Sequence, residues 1–253
     1  MRALSLLRIP IWREARVPLE HAALLRDPVL RGKGVSPGDG SSVLLIPGFM
    51  AGDLSLGLMA RWLRDVGYRP SRARMRANVD CTTRIVDRLE DELERLAERD
   101  GDRIAVVGQS RGGAIARLLA VRRPDLVRTA LALGTPLADP FAVHPFVRVQ
   151  VTAVGLLGTL GVPGLFSRAC LDGDCCAEIR DQAMGPFPDD VTLVSVYSRS
   201  DGIVHWEACL DPAARHVEVD ASHIGMAVNA EVFRAVAAAL SRRPRAGRLR
   251  AVA

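Results

Sequence analysis

Lysine is almost missing from this chain. Lys33 is the only one, so the 34 basic residues that face 29 acidic ones are nearly all arginine, for a net charge of +5. Those arginines are scattered, and aromatic residues make up only 4% of the sequence. A basic run with interleaved aromatics, which lets a protein hold single-stranded nucleic acid by charge and stacking, is absent; no nucleic-acid partner is expected. Long apolar runs are lacking too. The longest uncharged stretch, residues 149–166, is interrupted by Gly155, Gly158, Gly161, Pro163 and Gly164. It is shorter than the about 20 residues a spanning helix needs, so no transmembrane segment is expected. Residues 1–12 begin like a secretory leader, but Arg8, Arg13, Glu14 and Arg16 cut the apolar stretch short and no small-x-small cleavage site follows. The expectation is a cytoplasmic protein. Five cysteines fit that setting, since an odd number closes no disulfide framework.

What is present is the composition of a folded domain. Of the 253 residues, 49% are apolar and 25% charged, which excludes disordered and collagen-like classes and suits one domain spanning residues 1–253. Residues 1–42 read as an N-terminal arm and a Gly/Pro/Ser-rich loop. Beyond them, strand-like and helix-like segments alternate. Short apolar runs at 43–46, 104–107, 127–133, 191–197 and 216–219 read as strands. Segments 54–65, 81–99, 112–121 and 227–240 read as helices. The clearest helix is 81–99, where Ile85, Val86, Leu89, Leu93 and Leu96 recur at helical spacing and Asp80 is placed to cap it. All-apolar strands alternating with helices predict an α/β fold: a mainly parallel central sheet with helices on both faces.

One stretch carries chemistry. Residues 103–114 read RIAVVGQSRGGA, a strand that runs into Gly108-Gln109-Ser110-Arg111-Gly112 and then into a helix. The G-x-S-x-G pattern alone is weak; as an ordinary glycine-rich turn, Ser110 would merely cap the helix. In a strand-to-helix context it has a mechanism. The turn strains the serine backbone, the flanking glycines avoid collisions, and the hydroxyl is lifted above the sheet beside free helix N–H groups.

This VVGQSRGG segment resembles the nucleophile elbow of the α/β-hydrolase fold, and two further landmarks agree over residues 43–240. LLIPGFMAGD at 44–53 resembles the oxyanion loop of lipase-like members, with Pro47 where many of them carry histidine. The match implies a second oxyanion N–H from Phe49, with Met50 as the other candidate, beside the N–H of Arg111. The family order of nucleophile, acid and histidine then implies Ser110, Asp201 (in the Ser200-Asp201-Gly202 turn after the strand at 191–197) and His223 (after the strand at 216–219). Asp139, after the strand at 127–133, is the alternative acid. His21, His144, His205 and His216 read as ordinary polar or packing residues, and Asp220 as a turn cap.

Roughly sixty residues separate the strands at 127–133 and 191–197, far more than an ordinary connection. In the fold this region resembles, an insertion at that place, here about 139–190, holds a cap or lid. Its glycines at intervals of three give either a smooth helix face or an irregular flap, and its apolar residues line either the core or an acyl pocket. Cys170, Cys175 and Cys176 sit in ACLDGDCC, which lacks paired zinc-ribbon spacing. Free thiols, or a bridge from Cys170 to Cys175 or Cys176 or to a partner in Cys209, are expected there, and no metal. The reading as a whole is a cofactor-free serine hydrolase of the lipase/esterase type, acting on a small-molecule ester or lipid-like substrate with an apolar acyl part. A thioesterase, an acyltransferase, or a non-catalytic binding protein of the same fold are the alternatives.

Overall fold

A computed structural model describes residues 9–241; residues 1–8, where the leader-like start lies, and residues 242–253 fall outside the described part. Six strands form one sheet: β1 (Ser42–Ile46), β2 (Arg69–Arg72), β3 (Ile104–Gln109), β4 (Val127–Leu133), β5 (Thr192–Tyr197) and β6 (Arg215–Glu218). Their order is β2-β1-β3-β4-β5-β6, and every neighbouring pair is parallel. Every residue of β1 and β3 is buried, as the uninterrupted apolar runs predict for strands covered on both faces.

The pleat divides those side chains between two cores. Val43, Leu45, Ala105, Val107, Leu131, Leu133, Val194 and Val196 face one side. There they meet α1 (Val17–Arg26), α2 (Gly57–Asp65) and the C-terminal helix Ala230–Leu240. Leu44, Ile46, Val106 and Ala130 face the other side. They pack on α3 (Thr82–Asp100), through the five apolar positions read from its periodicity, and on α4 (Arg111–Arg122). Edge strand β2 went unread in the sequence because RPSR carries no apolar pattern; Pro70 and two arginines suit a sheet edge that must not pair further.

Two local expectations are revised. Asp80 is not the cap residue of α3. Cys81 is, and the Asp80 carboxylate instead accepts from the Cys81 N–H (2.7 Å) and pairs with Arg84. The segment at 227–240 is not one helix. A 3-10 turn covers Ile224–Val228, and the last α-helix begins at Ala230 because the Asn229 side chain accepts from the N–H groups of Glu231 and Val232. The insertion between β4 and β5 is ordered into α5 (Pro145–Thr159), the single turn α6 (Arg168–Leu171) and α7 (Ala177–Met184), with the C-terminal helix as α8. Gly155 and Gly158 lie on α5, where a Cβ would meet Leu171 and the Phe166 backbone. Gly161 and Gly164 follow in the turn, with φ of 90° and 76°. Among the described residues, no helix is long and apolar enough to cross a membrane.

The α2–α8 side of the core is anchored by Trp62 and Phe233, both fully buried with ring centroids 4.7 Å apart, and by the Trp62 indole N–H donating to Val29 O (2.8 Å). Phe233→Ala should therefore lower unfolding free energy by about 3–5 kcal/mol, read from the denaturant midpoint at unchanged m-value.

Candidate active site

The strand order reverses between β1 and β3: the chain steps outward from β1 to β2, then returns to β3 and continues the other way. Loops leaving the C-terminal ends of two such strands diverge and open a crevice. The loop after β1 (Pro47–Asp53) and the turn after β3 (Ser110) stand at this point. A Cβ on Gly48 would lie 3.4 Å from the Ser110 Cβ, so the two loops touch.

Ser110 has φ 52° and ψ −122°, a conformation that side chains adopt only when their surroundings impose it. Three glycines do so. A Cβ on Gly108 would collide with the Gly112 carbonyl, one on Gly112 with the Ile46 carbonyl, and one on Gly113 with the Thr135 hydroxyl. The turn is tied to β4 as well, with Ser110 N–H donating to Leu133 O (2.8 Å) and Thr135 Oγ1 to Ser110 O (3.0 Å).

Asp201 and His223 follow β5 and β6, with β4 between them and the turn after β3. The His223 Nδ1 and Asp201 Oδ2 are 2.8 Å apart, and both side chains are buried. The other carboxylate oxygen of Asp201 accepts from the N–H groups of Ile203 (2.8 Å) and Val204 (2.7 Å), which orients the acid toward the imidazole. Asp139, the alternative acid, instead accepts from Phe141 N–H in a local turn (3.1 Å). Gly134, at the end of β4, lies between the two parts of the site: a Cβ there would come within 3.1 Å of His223 Nδ1 and 3.2 Å of Asp201 Oδ2. Ser110 Oγ has no hydrogen-bond partner among the described residues. Ser110 and the imidazole thus share one end of the sheet without a direct hydrogen bond.

Burial disfavours a charged imidazole, but Asp201, by charge and hydrogen bond, and Glu14, by charge, outweigh it and raise the His223 pKa above 6.5. The other histidines are engaged elsewhere. His144 Nδ1 accepts from Phe146 N–H at the start of α5, His216 Nε2 meets Asp211 O (2.9 Å), His205 lies 3.9 Å from Glu207, and His21 is exposed on α1. Asp220 pairs with Arg16 (3.0 Å).

In the loop after β1, the Met50 N–H is directed to Asn78 O (3.4 Å), whereas Phe49 N–H makes no backbone bond of this kind among the described residues. The Arg111 side chain does not face the crevice as a free cation. It donates to Asn78 O (2.8 Å), Asp80 O (2.7 Å) and Thr82 Oγ1 (3.1 Å), and lies 5.3 Å from the Phe166 ring centroid. Asn78 Nδ2 in turn donates to Pro47 O (2.7 Å). The loop at 78–82 is therefore a common platform for the turn after β3 and the loop after β1. Phe166 joins it through its N–H to Val79 O (2.7 Å) and its ring 6.2 Å from that of Phe49.

Four positioning groups escaped the sequence reading. Gln109 donates from Nε2 to the His223 carbonyl (2.9 Å). Ser198 Oγ accepts from Ser200 N–H (3.0 Å) and Ala221 N–H (3.2 Å), joining the Asp201 and His223 loops. The other two come from the arm. Glu14, in the 3-10 turn Ile11–Arg16, accepts from Gly202 N–H (2.9 Å), His223 N–H (2.9 Å) and Ile224 N–H (2.8 Å). Glu20 accepts from Ser222 N–H (2.8 Å) and its hydroxyl, and its burial pushes the carboxyl pKa up. In the sequence these were two acids about two hundred residues from the groups they hold, and no local pattern marks such a contact.

No family model matches this chain, and no curated protein is similar to it in sequence. Solved structures are similar in shape. A metagenomic carboxyl esterase aligns with a TM-score of 0.60 at 14% identity, over 92% of this chain and 90% of its own. A mature lipase of Bacillus licheniformis aligns with a TM-score of 0.60 at 13% identity, over 81% and 94%. The chain has the α/β-hydrolase fold. A monoglyceride lipase from Saccharomyces cerevisiae, as a soluble variant, also aligns, with a TM-score of 0.55 at 15% identity over 81% of this chain and 85% of its own.

The Glu14 clamp has a spectroscopic consequence. Its negative charge favours the imidazolium, so Glu14→Gln should lower the His223 pKa relative to wild type, measured by NMR titration of the ring protons. Because a charge-assisted set of three N–H bonds is weakened, the same variant should lose roughly 1–3 kcal/mol of stability. A His223 titration unmoved by the substitution would show that Glu14 does not act on the ring.

Proposed function

We propose that the chain is a serine hydrolase of carboxylic esters with an apolar acyl part. The observation that carries the reading is a buried His223–Asp201 pair, 2.8 Å apart, at the same end of the sheet as a serine held at φ 52° after β3. In this mechanism Ser110 Oγ attacks the ester carbonyl carbon while His223 Nε2 takes the hydroxyl proton. Asp201 holds the imidazole through Nδ1 and stabilises the imidazolium. The N–H groups of Arg111, at the start of α4, and of Phe49 receive the oxyanion. Collapse expels the alcohol, which takes the proton from His223, and leaves an acyl ester on Ser110. Water, deprotonated by His223, then releases the acid. The residues need no cofactor for these steps. The imidazole must be neutral to act, so the raised His223 pKa places the acid limb of kcat/KM above pH 6.5.

The insertion supports an apolar substrate, and we assign it the role of a lid. Leu157 and Leu160 are 46% and 73% exposed, and Phe146, Val149 and Leu156 on the same helix are also exposed. They are not core residues, and an exposed apolar helix face suits contact with an acyl chain or a lipid-like surface. Thioester cleavage and acyl transfer would use the same residues, with a thiolate leaving or another acceptor replacing water. A cytoplasmic setting suits five cysteines that are all unbridged.

Four measurements test the proposal. Labelling by a fluorophosphonate should occur in the wild type and vanish in Ser110→Ala; an unlabelled wild type would point to a binding protein of this fold. Ser110→Ala and His223→Ala should each lower turnover as far as the double variant, because the two act as a unit. Asp201→Asn should lower kcat by about 10⁴, and Asp139→Asn should leave it near wild type. Finally, kcat/KM for p-nitrophenyl esters should rise from acetyl toward medium acyl chains, by up to about 0.8 kcal/mol per buried methylene. A charge at Leu157 or Leu160 should flatten that rise with unfolding unchanged, whereas a wild-type preference for acetyl would exclude the acyl-binding role.

A further inference from the structure

Cysteine sulfurs from two distant parts of the chain meet beside the loop at 78–82. Cys81 immediately precedes α3, Cys170 lies in α6, and Cys175 and Cys176 lie in the 3-10 turn Asp174–Cys176. All four Sγ atoms are within 4.8 Å of one another. The Cys81–Cys175 and Cys81–Cys176 pairs are each 3.6 Å apart, and the Cys170–Cys175 pair 3.5 Å. Disulfide sulfurs are about 2.05 Å apart, so this is not the local bridge that ACLDGDCC suggested. Cys209, the other partner considered there, is buried elsewhere, against Tyr197 and Val204. With Zn–S bonds of about 2.3 Å, the corners of a tetrahedral zinc–thiolate site are about 3.8 Å apart. The cysteines stand close to that spacing.

We propose that Cys81, Cys170, Cys175 and Cys176 form a structural site for one zinc ion. An all-thiolate set of four selects a soft or borderline ion and leaves no open coordination position, which makes the site structural and not hydrolytic. Binding releases the four thiol protons, and one Zn²⁺ with four thiolates carries a net charge of −2. Arg84 and Arg111 lie close enough to act on the cluster electrostatically. Two hydroxyls are placed to donate to its sulfurs: Thr83 Oγ1 is 3.4 Å from Cys176 Sγ, and Ser167 Oγ is 3.6 Å from Cys170 Sγ. The spacing within 170–176 gave no zinc signature because the fourth ligand lies about ninety residues upstream, on another element.

The site's position gives it a consequence. Cys81 belongs to the platform that receives the Arg111 side chain and, through Asn78, holds Pro47, and the other three ligands belong to the insertion. Zinc would thus fasten the insertion to the segment that supports both the Ser110 turn and the Phe49 loop. This assignment rests on the sulfur geometry and stands whether or not the chain hydrolyses esters.

The test is metal content of the full chain, purified under reducing conditions without chelator and measured by plasma mass spectrometry. We expect about one zinc per chain, with loss of that zinc in Cys81→Ser/Cys176→Ser. In case the double variant does not fold, the wild type supplies a second readout. Stripped with a chelator and mercurial, then reduced and given Co²⁺, it should show the thiolate charge-transfer and d–d bands of tetrahedral sulfur coordination. Stripping should also expose the segment at 145–184 to protease. Four results would overturn the proposal: a reduced wild type that takes up neither zinc nor cobalt, iron as the bound metal, a disulfide from Cys81 to any of the other three, or full zinc content in a folded double variant.

Discussion

A serine forced to φ 52° between strand and helix is the constraint on which the rest of this structure depends. A backbone of that kind costs of order 1–3 kcal/mol and persists only where its surroundings over-determine it. Here the determination is steric and comes from all sides. Gly108 and Gly112 touch each other, Gly112 touches β1, and Gly113 touches the Thr135 hydroxyl beyond β4, each at distances no Cβ would tolerate. The start of α4 can lie that close to the ends of β1 and β4 because Gly112 and Gly113 carry no side chain. The same compression that strains Ser110 brings Gly48 against it, and so brings the loop after β1 to the serine.

Around that rigid turn, the remaining parts of the site are held by polar contacts and not by packing alone. The segments bearing Asp201 and His223 leave adjacent strands, β5 and β6, and neither residue lies in a helix or strand. Their backbone N–H groups would be left without acceptors in a partly buried place. Glu14, Glu20, Ser198 and Gln109 supply those acceptors or close the remaining gap. The N-terminal arm is therefore part of the site's support: one carboxylate bonds to both loops and also adds negative charge near the imidazole. The loop at 78–82 does the same on the other side, where Arg111 spends its guanidinium on carbonyls and a hydroxyl of the platform. A cationic side chain that could have met an acidic substrate is instead a brace.

Much of this was legible in the sequence. The strands at 43–46, 104–107 and 127–133, the helix with its stripe from Ile85 to Leu96, and the strand–turn–helix at Ser110 are all specified by neighbours within a few residues. Hydrophobic period and glycine placement are short-range signals, and they transfer directly to strand, helix and turn. Ser110, Asp201 and His223 were picked out only by the order of residues in the family that the sequence resembles, and not by any local pattern around Asp201 or His223. Edge strand β2 was not legible, since an exposed RPSR has no core face to reveal it. Nor was the break before α8, which depends on an Asn229 cap inside an apolar run.

What only the tertiary structure decided is every contact between segments far apart in the chain. Glu14 reaching His223, Arg111 reaching Asn78, and Cys81 joining three cysteines of the insertion each depend on where whole elements pack. The sequence by itself determined the alternation of strands and helices, the sheet's burial on both faces and the strained serine turn. Those features follow from side-chain period and local sterics. The choice of Asp201 over Asp139 as the partner of the imidazole, the exposure of Leu157 and Leu160, and the gathering of four sulfurs came from packing, because distance along the chain places no limit on which groups the folded sheet brings within a few ångströms.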